Sequence, residues 1–585
     1  MTRERRATSW WATPWATPLL MTVVMLLVPA GWLGPVAATA AGESAAAVAG
    51  AQQIQLLSQR RLDPRLVELA LRTSALTQDP TRVRVLVPDG YDASTTRRYP
   101  VLYLMHGGAG SYADWTNPAL GDAERLTTRS ALITVMPDAG QGGWFTDWYN
   151  HGAFGPPEWE TYHIDQLIPW IDAHFRTIAD RSGRGIAGLS MGGFGALSYA
   201  ARHPDLFVSA AGFSGAVDIN QPNPIVAGHT LDTIAMLDGG TPGSLFGLRE
   251  AQDVRWRAHN PWDLAGNLRG LSLALHTGNG QAGGPYGGGG LSDVPPFETV
   301  VHPENVSLDQ RLTALGIRHS FDDYGPGGHD WPYWRRDLTE TLPSIMAAFA
   351  DPPPAPSPFT FTAVEPTYGV YGWTVSVARP ALEFSTLKDA GPSGFGITGS
   401  GTATVTTGRL YRPGSVHAVT EHGSFGATRQ IQRASGDGRL RVSVPLGPAN
   451  PIQEMWTSDG DGQPLPATRV YASTVVIAPA SSGSGSGPVG EGPPAPVKGC
   501  ASRRRLLIHV GRPGTGHVVT ATVYVNGRRV GMGRVRRTSV LVDLGGLPAG
   551  RVTVKVVLRT RRGRLSTLRR HYRTCVTHRS GAHRR

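Results

Sequence analysis

The sequence predicts an α/β protein, a doubly wound and mostly parallel sheet, followed by two all-β, sandwich-like modules. Three observations predict it. From about Leu66 to Ala350, short unbroken apolar runs alternate with helical stretches, as in a parallel sheet covered on both faces. Residues 357–480 turn to Thr, Val, Gly and Ser with period-two alternation, as in Thr402-Ala403-Thr404-Val405-Thr406, the pattern of half-buried strands. Charge is segregated as well. Residues 498–585 hold 22 Lys and Arg against one acid, Asp543, while the rest of the chain holds 34 basic and 43 acidic residues. The formal charge of +12 over 585 residues thus averages a mildly acidic body and a strongly basic end.

The composition excludes several classes. An apolar fraction of 40% is too high for a disordered chain and too interrupted for a polytopic membrane protein. Two cysteines cannot build a disulfide-dense scaffold or a four-thiolate zinc site. No metal or cofactor motif stands out, and none is expected.

Taken in order, Arg3, Arg5 and Arg6 precede an apolar stretch from Leu19 to Val28, and Ala38-Thr39-Ala40 follows as a small-residue cleavage site. Residues 1–40 therefore read as a secretory leader, which predicts a secreted, extracellular protein with no transmembrane segment once mature. Within the α/β domain, 41–350, strands are expected at Leu66–Ala75, Arg82–Val87, Val101–Met105, Leu132–Met136, Gly185–Gly188, Ser209–Phe213, Leu271–Thr277 and Ser320–Tyr324. Helices are expected at Thr161–Phe175, Gly192–Arg202 and Leu308–Leu315. Pro352-Pro353-Pro354-Ala355-Pro356 makes residues 351–356 a stiff linker to the β module at 357–480, and 481–497 is a Ser/Gly/Pro-rich linker.

The basic module, 498–577, offers strands at Leu506–Val510, Val518–Val525, Ser539–Leu544 and Val552–Leu558, a hairpin signal at Asn526-Gly527, and a basic tail at 578–585. Cys500 and Cys575 bracket it, and a disulfide between them would stabilise it by about 4 kcal/mol in the chain-entropy model. The near-absence of acids points to an anionic partner such as a cell-wall polymer, glycan or lipid headgroup, with association to the cell wall as the consequence. Nucleic acid would satisfy the same charge but is not expected of an exported chain.

Gly188-Leu189-Ser190-Met191-Gly192 lies between a short apolar strand and a helical run. A strand, a turn too tight for large neighbours and a helix together lift a serine hydroxyl above a sheet, the nucleophile elbow of an α/β-hydrolase. Such a serine needs a base and an orienting acid, in the order Ser, acid, His. His329, in Gly327-Gly328-His329-Asp330-Trp331 after the last strand, is the best-placed base. For the acid, Asp293, Glu298, Glu304 and Asp309 all fit the spacing. The oxyanion donors are expected to be the backbone N–H groups of Met191 and of Gly108, in Met105-His106-Gly107-Gly108-Ala109-Gly110. Trp144 and Trp148, in a glycine-containing aromatic loop, and Trp331 beside His329 are candidates for substrate binding. Gly278–Gly290 lacks a phosphate-cradle signature and reads as a mobile loop.

Together with Met136-Pro137-Asp138-Ala139-Gly140-Gln141, Asp147-Trp148-Tyr149, Trp159-Glu160-Thr161, Gly278-Asn279-Gly280 and His329-Asp330-Trp331-Pro332-Tyr333-Trp334, the elbow resembles the esterase D family. Within that family it is similar to the secreted mycobacterial mycolyltransferases. The resemblance spans about Leu66 to Phe349. It implies Ser190 as nucleophile and His329 as base. Counting back from Asn305 places the family's acid on Glu298, with Glu304 as fallback. At the oxyanion loop the mycolyltransferases carry an Asp-Gly-Leu-Arg stretch that helps hold trehalose, where this chain has His106-Gly107-Gly108-Ala109. The expected activity is therefore hydrolysis of carboxylic esters through an acyl-enzyme. The alternatives are acyl transfer to a sugar hydroxyl and a non-catalytic wall-binding protein on a hydrolase scaffold.

Overall fold

The computed structural model describes residues 54–150, 157–220, 224–290, 296–424, 426–453 and 469–480. Beyond 504 it describes the six strands of the basic module and Asn526. The expected leader (residues 1–40), Cys500, Cys575 and Asp293 lie outside the described residues. The chain divides into two compact units, Met1–Ser481 and Ser482–Arg585.

Nine strands form the main sheet: β1 (Gln55–Arg61), β2 (Leu66–Arg72), β3 (Thr81–Leu86), β4 (Val101–Met105), β5 (Ile133–Pro137), β6 (Arg184–Leu189), β7 (Ser209–Phe213), β8 (Ser272–Thr277) and β9 (Ser320–Asp323). Their order is β1-β2-β3-β5-β4-β6-β7-β8-β9, antiparallel through β1, β2, β3 and β5 and parallel from β5 onward. Alternate residues of β4 enter opposite cores. Val101, Tyr103 and Met105 join the aromatic cluster around Phe194 and Tyr199; Leu102 and Leu104 join Trp334, Leu338 and Ile345. Period-two side-chain alternation thus divides the central strand between two helical layers.

Departures from the expected elements have local causes. The edge strand β1 is exposed along its whole length, so Gln55-Leu56-Leu57-Ser58-Gln59-Arg60-Arg61 carries no burial pattern to read. The last predicted helix runs much further, from Phe297 to Ala314, through Pro303, a residue that usually interrupts a helical pattern. The stretch Thr161–Leu167 is wound as a π-helix before continuing as an α-helix over Ile168–His174.

The second region folds as ten strands: β10 (Phe359–Ala363), β11 (Thr367–Val370), β12 (Trp373–Ala378), β13 (Ser385–Gly391), β14 (Gly394–Gly399), β15 (Thr402–Thr406), β16 (Val416–Gly423), β17 (Gly426–Arg433), β18 (Arg441–Pro445) and β19 (Tyr471–Pro479). They form sheets of six and four strands around Val375, Leu387, Val405 and Val444. This module packs directly on the α/β domain. Arg202 donates to Glu160 and to Glu365. Asn267 exchanges two hydrogen bonds with the Thr362 backbone, and the Tyr371 N–H donates to Asp205. Arg181 donates to the Pro353 carbonyl, so the proline-rich segment lies against the domain instead of holding the module away from it.

The basic module contains β20 (Arg505–His509), β21 (Val518–Val525), β22 (Arg528–Arg534), β23 (Ser539–Asp543), β24 (Gly550–Thr560) and β25 (Leu565–Thr574). β20 pairs with β23, and a second sheet runs β22-β21-β24-β25. β22 and β25 were not among the expected strands; their Arg-rich sequences mask the alternation. Among the described residues no helix is long and apolar enough to cross a membrane.

Candidate active site

β6 ends at Leu189 and the next helix, Met191–Arg202, begins one residue later. Ser190 joins them at φ 52°, ψ −119°, a left-handed conformation that is costly for a side-chain-bearing residue. Close packing requires its glycine neighbours. A Cβ at Gly192 would stand 2.5 Å from the His106 carbonyl oxygen and 2.6 Å from that of Met105, and one at Gly188 only 2.3 Å from the Gly192 oxygen. The Ser190 N–H donates to Phe213 O in β7 at 2.9 Å, tying the turn to the neighbouring strand.

His329 lies in the loop between β9 and the Trp331–Ala350 helix, which Asp330 caps by accepting from the Trp331 N–H. Its Nε2 is 2.8 Å from Ser190 Oγ and its Nδ1 is 2.7 Å from Glu298 Oε2. Glu298, in the first turn of its helix, is fully buried. Its Oε1 accepts from Ser214 Oγ at 2.9 Å, Thr277 Oγ1 at 2.9 Å and the Gly278 N–H at 2.7 Å. With Oε1 saturated by donors, Oε2 is the atom presented to the imidazole. The ring is held laterally by Trp334, centroids 5.0 Å apart and nearly perpendicular, and by Phe297 at 5.7 Å.

The other candidate acids serve elsewhere. Asp309 accepts from His319. Glu304 is buried, receives the Asp218 N–H at 3.4 Å, and has its pKa pushed well above the carboxylate range by burial and by the neighbouring Asp218.

A cavity of about 600 Å³ opens over Ser190 and His329. Gly107 and Gly108 form one side; Leu120, Ile234, Leu237, Phe297 and Trp331 supply apolar wall. The Met191 N–H opens the helix beneath the serine, where it has no acceptor within the helix itself. Trp331 lines this cavity, whereas Trp144 and Trp148 do not. Trp144 is buried edge-on against Phe194, and Trp148 is buried with its indole N–H on the Gly143 carbonyl. The reason is the backbone of their loop: Trp144 and Phe145 both take positive φ, which turns the aromatics into the core. Gly278–Gly290 is pinned to the segment behind His329 through Gly280 N to Gly327 O and Tyr333 OH to Gly287 O.

Several site residues escaped the sequence reading. Ser214 and Thr277 occupy the C-terminal ends of parallel strands, where functional groups of open α/β sheets gather. Position alone was their signal. His106 follows β4 and is buried. Its Nε2 accepts from the Ala139 N–H at 3.0 Å and its Nδ1 is 2.8 Å from the Gly107 carbonyl. These partners select the neutral tautomer with its proton on Nδ1, and the ring braces the loop that presents Gly108. Asp238 accepts from the Gln141 and Gly142 N–H groups, fixing the neighbouring loop after β5, whose Gln141 carbonyl accepts from the Ala109 N–H. The Pro224–Ala235 helix and Leu237, which roof the cavity, carried no motif.

This architecture and site define an α/β-hydrolase fold with a serine elbow, and comparison with known proteins agrees. Residues 74–345 match the Esterase family model, described as "Putative esterase". Esterase Rv1288 of Mycobacterium tuberculosis (strain ATCC 25618 / H37Rv) is 37% identical over 276 residues, covering 47% of this chain and 58% of that protein. The chain therefore spans little more than half the length of this relative. Diacylglycerol acyltransferase/mycolyltransferase Ag85A of Mycobacterium bovis (strain BCG / Pasteur 1173P2) is 30% identical over 274 residues, covering 44% of this chain and 77% of that protein. Among solved structures, a ferulic acid esterase aligns over 50% of this chain and 99% of its own at 24% identity and a TM-score of 0.36. The chain belongs to the esterase family that includes these mycolyltransferases.

Proposed function

We propose that this protein is a secreted serine esterase that hydrolyses carboxylic esters through an acyl-enzyme. The observation that carries the reading is the continuous chain from Ser190 Oγ through His329 to Glu298, at 2.8 and 2.7 Å. Ser190 Oγ attacks the ester carbonyl carbon while His329 Nε2 takes its proton. Glu298 holds the Nδ1–H and stabilises the imidazolium. The carbonyl oxygen becomes an oxyanion facing the N–H groups of Gly108 and Met191, aided by the positive end of the helix. Collapse expels the alcohol, which leaves with the proton from His329. Water then attacks the acyl carbonyl, again losing its proton to His329, and the acid departs as Ser190 is restored. The apolar wall of Ile234, Leu237, Phe297 and Trp331 suits the acyl or aryl part of the substrate.

A second reading, transfer of the acyl group to a sugar hydroxyl, is favoured by the similarity to Ag85A and uses the same acyl-enzyme. Export is part of the proposal and rests on the leader-like residues 1–40. A fluorophosphonate probe should label the wild type and fail to label Ser190→Ala. Absence of labelling in a folded wild-type sample overturns the proposal and favours a non-catalytic scaffold. Product analysis with and without sugar acceptors separates hydrolysis from transfer.

A further inference from the structure

The four-stranded sheet of the basic module carries an arrangement that stability alone does not explain. Its strands β21, β22, β24 and β25 contain nine Arg and Lys and no Asp or Glu. The chain's lone acid after residue 498, Asp543, lies in the other sheet, opposite Arg505. One face of the two central strands is apolar, with Val523, Val525, Val552, Val554 and Val556 all buried; Arg528 and Arg570 hold positions of that face on the edge strands. On the alternate positions Thr522, Tyr524, Thr553 and Lys555 are half-buried, and Thr567 and Arg569 are exposed.

The register sets these positions in a row across the sheet. Arg529 of β22 is opposite Tyr524, Tyr524 is opposite Lys555, and Lys555 is opposite Arg569. The Lys555 ammonium stands 5.8 Å from the Tyr524 ring centroid. Further along the same strands Arg551 is opposite Arg573, and Thr520 is opposite both Arg534 and Arg559. Directly opposed like charges destabilise a sheet. Two such pairs between β24 and β25, Lys555/Arg569 and Arg551/Arg573, with the arginines of β22 one uncharged strand away and no acid interleaved, build a positive field whose repulsion a polyanion would relieve.

We propose that this face binds an acidic polysaccharide. Strand spacing of about 4.8 Å makes the Arg529-to-Arg569 row roughly 14 Å long, and the threonine hydroxyls on the same alternate positions can hydrogen-bond sugar groups. Single-stranded nucleic acid would call for several open aromatic platforms. Tyr524 and His571 are the aromatic residues on these alternate positions, and a lysine already stands over the tyrosine. A lipid surface would call for clustered apolar anchors beside the cations, whereas Met532, Val557 and Leu565 hold these alternate positions one to a strand, with Thr522 between the first two and Arg559 opposite the third. The proposal does not depend on esterase activity.

The test uses the full chain and its binding to polygalacturonate, with dextran, a single-stranded oligonucleotide and phosphatidylglycerol vesicles as the other arms. Binding to polygalacturonate and not to dextran, weakening as NaCl rises, is expected. Lys555→Gln/Arg569→Gln should weaken it about tenfold and flatten the salt dependence. Arg429→Gln/Arg433→Gln, which removes the same charge from the exposed strand β17, should leave binding unchanged. Both variants should keep wild-type hydrolysis of a small soluble ester, which separates failure here from failure of the esterase reading. Equal binding by Lys555→Gln/Arg569→Gln, an equal loss in the β17 variant, or tighter binding to the oligonucleotide or vesicles would overturn the proposal.

Discussion

Replacing Glu298 by Gln removes one charge and changes almost no volume, yet the surroundings of this carboxylate leave the amide a single good orientation. Oε1 receives three donors, one of them the Gly278 N–H. The two hydroxyls can rotate to accept, but the N–H cannot. Turning the amide nitrogen toward them would oppose buried donors at a cost of about 1–3 kcal/mol. The amide oxygen therefore takes the Oε1 position, and its NH2 faces His329 Nδ1. Two donors cannot share that 2.7 Å contact, so the imidazole moves its proton to Nε2, which then faces Ser190 Oγ as a donor and cannot act as base. A wrong tautomer of this kind lowers kcat by roughly 10⁴-fold, or about 5 kcal/mol in the barrier. Steady-state hydrolysis of a p-nitrophenyl ester measures it, with thermal unfolding to establish that the variant is folded. Glu304→Gln is the comparison: its carboxyl receives the Asp218 N–H, and burial with the neighbouring Asp218 raises its pKa, so kcat should stay within a few-fold. A fall of less than about tenfold for Glu298→Gln, or a larger one for Glu304→Gln, refutes the assignment.

Four further outcomes are expected. Gly192→Ala should destabilise by about 3 kcal/mol in a urea titration, since its Cβ meets two backbone carbonyls; Gly266→Ala, with open space around it, should change stability little. Arg202→Met should cost about 3 kcal/mol, because it removes the guanidinium paired with the buried Glu160; the value sits at the low end because Glu160 keeps His203 at 2.7 Å and the Glu365 side chain is 36% exposed. Burial, reinforced by Glu160, raises the Asp147 pKa to about 6, so the native state holds a proton that the unfolded chain has released. Stability should decline as pH rises from the ordinary carboxylate range to about 6, and thermal unfolding of Asp147→Asn should show a flatter profile there. His106→Ala should lower kcat for a soluble ester by about 10²-fold with little change in KM, as loosening an oxyanion donor does; an unchanged kcat would mean that the Gly107-Gly108 loop holds its shape unaided.

Much of the site could be read from the chain because it depends on short-range chemistry. The elbow is five consecutive residues whose spacing, small neighbours and following helix are all local. His329 could be placed because it is the one histidine between the last strand of the α/β domain and the proline-rich linker. The acid could not be chosen by spacing, since Glu298 and Glu304 lie on one helix and both are buried. Their difference comes from what the ends of β7 and β8 present to them: Ser214, Thr277 and Gly278 around one, the Asp218 backbone around the other. The aromatic loop misled for a related reason. Trp144 and Trp148 have the composition of a substrate wall, but the positive φ at Trp144 and Phe145 turns them inward. No propensity announces such a turn at non-glycine residues.

The sequence by itself determined the alternation of strands and helices in the first domain, the serine turn and the separation of an acidic body from a basic end. Each follows from periodicity, local sterics or summed charge, which neighbouring residues set without knowledge of distant ones. Only the tertiary structure decided which carboxylate meets His329, which aromatics line the cavity, and that the first β module docks through Arg202, Asn267 and Tyr371. It also aligned the basic residues of three strands across one sheet. Those outcomes rest on contacts between residues far apart in the chain, and long-range burial and register bring them together.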